Sequence, residues 1–295
     1  MRYTIQSYWS DSPLTLLEKT CLISWVVFGA NVVLYTHDPI SKIEKQIPPK
    51  ILKYVNVVNA NVIIPKKLKF EFKGKSYRSK RKDAFKFLPF SDLFRYTMLK
   101  KNGGIWMDMD LILLRPIPKS ILTTEYFFSS ERTMQSGAFA SKNTFKPSNA
   151  FIGVKNKESE WANFIVDKSS SSKILSSHTF LKTFNESIKE LELNKYILQP
   201  EIVMPVNWWE ICDIFLSEDE YKELKKKKGD EKFGVKRTVK DSILTNKKVF
   251  GIHLFRGILR KNDVPYDDIS KIPDDSLFTQ ILNHVEKNFN KFIRK

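Results

Sequence analysis

The stretch of sequence that decides the fold is SDLFRYTMLKKNGGIWMDMD, residues 91–110. Its first half has apolar side chains at helical spacing, which predicts an amphipathic helix over residues 90–100. Gly103 and Gly104 end that helix. The apolar run Ile105-Trp106-Met107 then predicts a strand that continues into Asp108-Met109-Asp110. The sequence therefore indicates a helix joined through two glycines to a strand that carries two carboxylates.

The N-terminal residues predict a strand, a helix and a second strand. A short strand over Tyr3–Trp9 precedes Ser10, Asp11 and Ser12, which offer N-cap chemistry for a helix from Leu14 to Phe28. Asn31–Tyr35 is an apolar run of strand length, and Lys53–Ile64 is rich in β-branched residues. An apolar strand that follows a helix favours a parallel sheet covered on both faces.

The second half of the chain mixes short strands and helices less regularly. Pro65–Lys86 is basic and polar, which predicts a loop or an irregular surface helix. The remaining elements are expected as strands near 126–128, 137–140, 150–153 and 247–252, helices over 158–167 and 179–193, and a basic amphipathic helix in the last twenty residues. This pattern favours a single α/β domain with an elaborated C-terminal half over two independent domains.

Composition limits the class of protein. Lys and Arg number 50 against 33 Asp and Glu, a formal charge of +17, which favours nucleic acid, acidic lipid or phosphorylated small molecules as partners. A lysine-rich composition with no binding role explains the same charge. The two cysteines fit a reducing compartment, and Cys21 reads as a small core residue. The N-terminus has no signal-peptide core, and the apolar stretch Cys21–Tyr35 is too short to span a bilayer, so we expect a cytoplasmic protein.

The two carboxylates are the first candidate site. In an extended segment, residues two apart point to the same side, so Asp108 and Asp110 would converge on one point. Two like charges beside an apolar run are costly unless a cation offsets them, and oxygen ligands favour Mg²⁺ or Mn²⁺. The tripeptide alone is a weak signal, because 16 aspartates produce roughly one Asp-x-Asp by chance. Asp92 and Arg95 share a helix face, where Arg95 could meet an anion or form an ordinary surface ion pair.

The segments Ser91–Tyr96 and Asn102–Asp110 together resemble the signature of DXD-containing sugar transferases with the GT-A fold. That group includes bacterial and viral polysaccharide transferases, lipid α-1,4-galactosyltransferases and the catalytic domains of clostridial glucosylating toxins. The continuous match covers about residues 90–118. The resemblance implies a Rossmann-like mixed central sheet flanked by helices. Residues 1–120 would be the nucleotide-sugar-binding half, ending in the DXD strand, and residues 121–295 the acceptor-side and C-terminal part of the same catalytic domain.

The resemblance also implies roles for residues of the central block. Asp110 would bind a Mn²⁺ or Mg²⁺ ion directly, and Asp108 would contact ribose, sugar or metal-bound water. Asp92 and Arg95 would hold the donor sugar, and Trp106 would pack beside it.

Weaker similarities lie outside that block. Tyr8 and Trp9 end the first strand, where relatives pack an aromatic ring on uracil. His253 ends a late strand and is either a third metal ligand or a packed structural residue. Arg256 and Arg260 either neutralise the diphosphate or form a solvated basic loop, and the sequence departs from the family pattern there.

Two further segments bear on the acceptor. Asn149–Gly153 resembles a segment that lines the acceptor side. Trp208-Trp209 is either an acceptor platform or a part of the core, and core packing is the favoured interpretation.

The resemblance implies a metal-dependent glycosyltransferase that moves a hexose from a UDP-sugar donor to a glycan, glycolipid or protein-linked acceptor. Retention of configuration is favoured, since no inverting base is recognisable. The alternative is a basic nucleic-acid-binding or nucleotidyl-transferring protein with a paired-carboxylate metal site. Against it, the chain has no helix-turn-helix, zinc-ligand or RRM pattern, so no nucleic acid partner is expected. A non-catalytic relative is a second rival, which the intact Asp92, Arg95, Asp108 and Asp110 argue against.

The C-terminal helix raises the question of a membrane. It places Ile281, Val285, Phe289 and Phe292 at helical spacing with lysines alongside. Such a helix could associate peripherally with acidic membrane, or it could pack its apolar stripe on the domain, which is the favoured interpretation. The sequence leaves the oligomeric state open.

Overall fold

The computed structural model describes residues 2–68, 88–133, 145–171, 177–228, 231–232, 235–236 and 240–294. Short 3₁₀ turns connect several of its helices and strands. In chain order, these elements are β1 Tyr3–Tyr8, α1 Leu16–Val27, β2 Ala30–Thr36, α2 Ile40–Glu44, α3 Pro49–Leu52, β3 Val55–Asn59, α4 Leu88–Asn102, β4 Gly104–Met107, β5 Leu111–Leu113, α5 Lys119–Leu122, β6 Tyr126–Arg132, β7 Phe145–Val154, α6 Glu160–Ser171, α7 Ser177–Glu190, α8 Glu218–Lys228, β8 Glu231–Lys232, β9 Val235–Lys236, α9 Lys240–Thr245, β10 Gly251–His253, α10 Arg256–Lys261 and α11 Leu277–Ile293.

The central sheet has the strand order β3-β2-β1-β4-β7-β6. Strands β1 to β4 run parallel to one another, whereas β7 is antiparallel to both β4 and β6. The chain builds outward from β1 to β3 and then returns to place β4 on the other side of β1. In open sheets, ligands bind at the carboxyl ends of the strands where the order reverses in this way. The topology therefore points to the ends of β1 and β4.

Helices cover both faces of the sheet and divide the core in two. One cluster packs α1 and α11 against the sheet, with Trp25 and Phe278 fully buried. The other packs α4, α6 and α7 on the opposite face around Trp106 and Trp161. This arrangement confirms the expected mixed α/β sheet flanked by helices.

The start of α1 differs from the prediction. The N-cap is Thr15, and Glu18 completes a capping box with it. Ser10, Asp11 and Ser12 instead form a loop around Trp9, whose indole N–H donates to the Ser12 carbonyl at 2.9 Å. The predicted cap is wrong because this loop turns early, with Asp11 at a φ of 67°.

The two carboxylates of the DXD segment are not in a strand. β4 ends at Met107, and the Leu111 N–H donates to the Asp108 carbonyl at 3.0 Å, which closes a turn over 108–111. β5 then leaves the sheet and pairs with β10. It also contacts α1, since the indole N–H of Trp25 donates to the Leu111 carbonyl at 2.7 Å. The extended geometry expected for Asp108-Met109-Asp110 is therefore wrong, and the turn brings the carboxylates together instead.

The junction between α4 and β4 requires its two glycines. Gly103 and Gly104 have φ values of 63° and 86°. A Cβ on Gly104 would lie 2.7 Å from Nε2 of Gln6, a β1 side chain that donates to the Gly103 carbonyl at 2.8 Å. The Gly-Gly pair thus lets the end of α4 approach β1 closely, which fixes where β4 and its carboxylates begin.

The C-terminal helix packs on the domain. Ile281 and Val285 are buried, and Phe289 and Phe292 are partly buried against the same core. The packing interpretation of the apolar stripe is thus confirmed. Among the described residues, no helix combines the length and the apolar character needed to cross a membrane.

The remaining expectations have mixed outcomes. The strands near 126–128 and 150–153 and the helices near 158–167 and 179–193 are present with shifted ends. The late strand begins at Gly251 rather than at Lys247. The strand expected at 137–140 and most of the segment 65–86 lie outside the described residues. The division at residue 120 stays a prediction, although β6 and β7 complete the sheet that β1 to β4 begin.

Candidate active site

A cavity of ≈170 Å³ opens at the carboxyl ends of β1 and β4. It brings together six of the eight residues singled out from the sequence and adds others from α4, α10 and the β4–β5 turn. The lining residues are Ser7, Tyr8, Trp9, Ser91, Arg95, Trp106, Asp108, Met109, Asp110, Arg256, Gly257 and Arg260. Asp92 and His253 lie behind this wall, in contact with residues that form it.

Asp110, in the β4–β5 turn, is contacted by residues of β10 and α10. Its Oδ1 lies 3.1 Å from Nε2 of His253 at the end of β10, and its Oδ2 accepts the backbone N–H of Arg256 at 2.8 Å. Burial alone would raise the pKa of Asp110, but the charge and hydrogen bond of His253, with the Arg256 contacts, lower it to about 2. Burial likewise opposes the charged form of His253, but the neighbouring Asp110 outweighs it and raises the imidazole pKa.

Asp108 is held from two sides. Its Oδ1 accepts the indole N–H of Trp106 at 2.6 Å and lies 3.2 Å from Nη1 of Arg95. Burial raises the pKa of Asp108, although Arg95 opposes the shift. Trp106 packs at the same time under the Arg95 guanidinium, whose Cζ lies 5.0 Å from the ring centroid. Trp106 therefore fixes Arg95 and Asp108 relative to each other.

Asp108, Asp110 and His253 fit a divalent cation. Each offers one ligand atom, and these atoms lie within 4.8 Å of one another. The 3.1 Å between Asp110 Oδ1 and His253 Nε2 matches two adjacent ligands of an octahedral ion, which lie about 3 Å apart when each bond is about 2.1 Å. His253 also has a buried Nδ1 without a hydrogen-bond partner among the described residues. The donor set of two carboxylates and one imidazole suits a first-row ion such as Mn²⁺.

Asp92 is a support of Arg95 rather than part of the cavity wall. Its carboxylate lies 3.4 Å from Nη2 of Arg95 and accepts the side-chain N–H of Asn149 at 2.9 Å. Arg95 also donates to the Asn149 carbonyl. Burial raises the pKa of Asp92 to about 6, with Arg95 opposing the shift. The predicted contact of Asp92 with the donor sugar stays a prediction.

The two aromatic residues at the end of β1 differ in exposure. Trp9 is only 9% exposed, and the Arg256 guanidinium covers its ring, with Cζ 4.5 Å from the centroid. Tyr8 lines the cavity and packs on Phe94 at 4.6 Å between centroids. Tyr8 thus offers the more accessible ring, and base stacking on either residue stays a prediction.

Residues 35–128 match the family described as glycosyltransferase sugar-binding region containing DXD motif. The matched segment runs from the end of β2 to β6 and includes α4, β4 and the turn with Asp108 and Asp110. This third of the chain therefore resembles the sugar-binding region of DXD-motif glycosyltransferases. The nucleic-acid and nucleotidyl-transfer alternative receives no support from this match. No curated protein matches this chain by sequence.

Solved structures agree with the fold. The apo-form glycosyltransferase GlyE of Streptococcus pneumoniae TIGR4 is 12% identical, with a TM-score of 0.52 over 99% of this chain and 63% of GlyE. The chain thus spans less than two thirds of the length of GlyE. PaToxG glycosyltransferase is 14% identical, with a TM-score of 0.40 over 99% of this chain and 87% of its own. The galactosyltransferase LgtC, solved with donor and acceptor sugar analogues, is 9% identical, with a TM-score of 0.44 over 95% of each chain. The likeness to GlyE shows that the fold of this chain is of the GT-A type.

The structure adds functional candidates that sequence reasoning left undecided or missed. Arg256 and Arg260 lie on helix α10 rather than in a loop, and both line the cavity, while neutralisation of a diphosphate by them stays a prediction. Glu18, on α1, forms an ion pair with Arg256, in which Oε1 lies 3.0 Å from Nε. The two residues are 238 positions apart in the chain, so no local sequence signal reveals the pair. In contrast, the packing interpretation of Trp208-Trp209 is supported, because Trp209 is buried and neither ring lines the cavity.

Proposed function

We propose that this protein is a glycosyltransferase that moves a hexose from a uridine diphosphate sugar to a glycan, glycolipid or protein-linked acceptor, in a metal-dependent reaction with retention. The observation that carries the proposal is the grouping of Asp108, Asp110 and His253 within 4.8 Å, beside a cavity that three arginines line. A metal–diphosphate needs ligands for the cation and positive charges for the phosphates. The two carboxylates and one imidazole can bind the cation, and the three guanidinium groups can bind the phosphates.

The metal would be held by Asp110 and His253, with Asp108 as the third group. A divalent ion bound there would supply Lewis-acid stabilisation of the negative charge that develops on the leaving diphosphate. Mn²⁺ fits better than Mg²⁺, because Mg²⁺ prefers oxygen ligands whereas this set includes an imidazole. Asp110, whose pKa lies at about 2, presents a carboxylate at every physiological pH.

The arginines divide the work of holding the donor. Arg95 lies on the α4 side of the cavity and is fixed by Asp92, Asp108 and Trp106, so it can bind hydroxyl or phosphate oxygens without much loss of side-chain entropy. Arg256 and Arg260 lie on the α10 side, where they would bind the diphosphate and oppose its growing charge. Preorganised cations of this kind lower the barrier to departure of the nucleotide.

Retention is supported by the acids of the cavity. Among the described residues, the only carboxylates that line it are Asp108 and Asp110, and both belong to the metal group. An inverting enzyme needs a further base to take the proton of the acceptor hydroxyl as it attacks. Proton NMR of the first product would test this point, because the anomeric coupling constant should be that of the donor. A product of opposite configuration would refute retention.

A thermal-shift panel would test the proposal as a whole. Mn²⁺ together with each of several UDP-, GDP- and CMP-sugars would be compared with the same sugars in EDTA, and with single-stranded DNA. At about 100 times the Kd, a ligand stabilises by about 2.7 kcal/mol, which raises the Tm of a chain of this size by roughly 4–5 °C. We expect that shift only for a UDP-hexose with Mn²⁺. A larger shift with a GDP- or CMP-sugar would refute the uridine donor.

A further inference from the structure

Glu18 is a fully buried carboxylate that α1 brings to the catalytic cavity. Its Oε2 accepts the backbone N–H of Thr15 at 2.8 Å and the Thr15 hydroxyl, which closes the capping box. Its Oε1 lies 3.0 Å from Nε of Arg256, and no hydrogen bond from a described residue reaches it. Helix capping therefore explains one oxygen of Glu18 and leaves the other for Arg256. A buried carboxylate without a paired charge would be costly, so the ion pair is needed on both sides.

Contacts with four residues hold the backbone and the side chain of Arg256 in place. Its backbone N–H donates to Asp110 Oδ2, and its Nε donates to the Tyr266 hydroxyl at 3.3 Å. The guanidinium lies on the Trp9 ring, and Glu18 faces it from within the core. Neither of its two terminal nitrogens donates a hydrogen bond to a described residue, and Arg256 lines the cavity. The side of the guanidinium that faces the core is thus occupied and its terminal edge is available.

We propose that Glu18 is a positioning residue for Arg256, and that it holds the terminal guanidinium edge toward the diphosphate of the bound donor. A guanidinium edge with two parallel N–H groups matches a pair of phosphate oxygens. Without Glu18, the arginine side chain loses the charge that holds it on Trp9 and can turn toward Asp110. This inference rests on the proposed donor class, since it assigns the diphosphate as the ligand.

The Glu18→Gln variant tests the ion pair. The amide oxygen can still accept from Thr15, so the cap of α1 is kept while the charge that faces Arg256 is lost. With Mn²⁺ present, we expect the Kd of UDP to rise about tenfold, within the range of coupling energies between contacting groups. The Kd of uridine, which has no phosphate, should not change. An unchanged Kd for UDP would overturn the proposal.

Two controls separate positioning from folding. Thr15→Ala weakens the cap but leaves the Glu18–Arg256 pair, so it should lower the Tm and leave the Kd of UDP unchanged. In the Arg256→Gln background, Glu18→Gln should have no further effect on UDP binding, because there is no arginine left to position. Equal losses in the wild-type and Arg256→Gln backgrounds would overturn the proposal, since Glu18 would then act by another route.

The same titrations distinguish this inference from the proposed function. If wild-type protein binds no UDP with Mn²⁺, the proposed donor class fails and the inference fails with it. If wild-type protein binds UDP and Arg256→Gln binds it equally well, the donor class stands and only the role of Glu18 and Arg256 is refuted.

Discussion

Asp110 connects the β4–β5 turn, the end of β10 and the start of α10, because it contacts His253 and the backbone of Arg256. The Asp110→Asn substitution keeps the shape of the side chain and removes its charge. We expect transfer to fall by at least about 10²-fold, as when a transition-state charge contact is lost, and metal-dependent donor binding to disappear. The fold should persist, which circular dichroism would check.

The matched control for this variant is Asp268→Asn, on the exposed turn before Lys271, which should transfer sugar at the wild-type rate. Release of UDP from the donor in the presence of acceptor would measure both variants. If Asp110→Asn turned over at a near-normal rate, Asp110 would not be the metal ligand.

Asp92 gives a prediction of pH dependence. Burial raises its pKa from 3.8 to about 6, so the folded state binds this proton more tightly than the unfolded state does. The stability that Asp92 contributes is therefore present below pH 4 and is lost as the pH rises through 6. In Asp92→Asn the side chain is neutral at every pH. Between pH 4 and 7, the free energy of unfolding should therefore fall less in this variant than in the wild type, and the two decreases should differ by on the order of 3 kcal/mol.

Urea denaturation at four pH values over that range would measure the difference. Titrating groups that do not interact with Asp92 contribute equally in both proteins and cancel. Parallel pH profiles would show that the Asp92 carboxyl is not protonated in the folded state at pH 5.

At the level of elements, the pairing of β6 with β7 depends on a close approach at Gly153. A Cβ built there would lie 2.0 Å from a ring carbon of Phe127, a contact that no side chain can accommodate without movement. Gly153→Ala should therefore destabilise the fold by about 1–3 kcal/mol through overpacking. In a Phe127→Ala background, Gly153→Ala should cost less than it does in the wild type, because the ring with which the new Cβ would clash is gone. Two additive destabilisations in chemical denaturation would contradict this account.

Elements with strong local signals were predictable from the sequence. The Gly103-Gly104 stop, the apolar face of α4 and the order β1-α1-β2 follow from residues that are neighbours in the chain. The turn at Asp108–Leu111 was not predictable, because it depends on contacts between α1 and β5 and on the pairing of β5 with β10, which is about 140 positions away.

The candidate site was predictable to a similar extent. The central block indicated Asp108, Asp110, Arg95 and Trp106 through its resemblance to the signature of DXD-containing sugar transferases. The second contact of Glu18 was hidden, since a Glu three residues after Thr15 is fully accounted for by a capping box.

At the level of the whole molecule, the charge of +17 raises the question of membranes. The apolar stripe of α11 is packed against the core, and its exposed side chains include the basic Lys287 and Lys291. Peripheral association with acidic membrane would therefore be electrostatic. The membrane would contact the end of the sheet at the start of β1, where Arg2 lies against Tyr54 and Phe292. The cavity is at the other end of β1 and would stay open.

Co-sedimentation with anionic vesicles would test this geometry. We expect adsorption at low salt that disappears at physiological ionic strength, where charges on the surface are screened beyond about 8 Å. Glu substitutions at Lys287 and Lys291 should remove the low-salt adsorption and leave donor binding unchanged. Retention on the vesicles at physiological salt would contradict the account, because it would require insertion of apolar groups.

Calorimetric titration of UDP tests the central claim most directly, since it asks whether the Asp108–Asp110–His253 group and the arginine-lined cavity form one metal–diphosphate site. We expect binding in Mn²⁺ to be at least about tenfold tighter than in EDTA, a difference of about 1.4 kcal/mol, and the difference to vanish in Asp110→Asn. Equal affinity for UDP in Mn²⁺ and in EDTA would contradict a metal-dependent donor site.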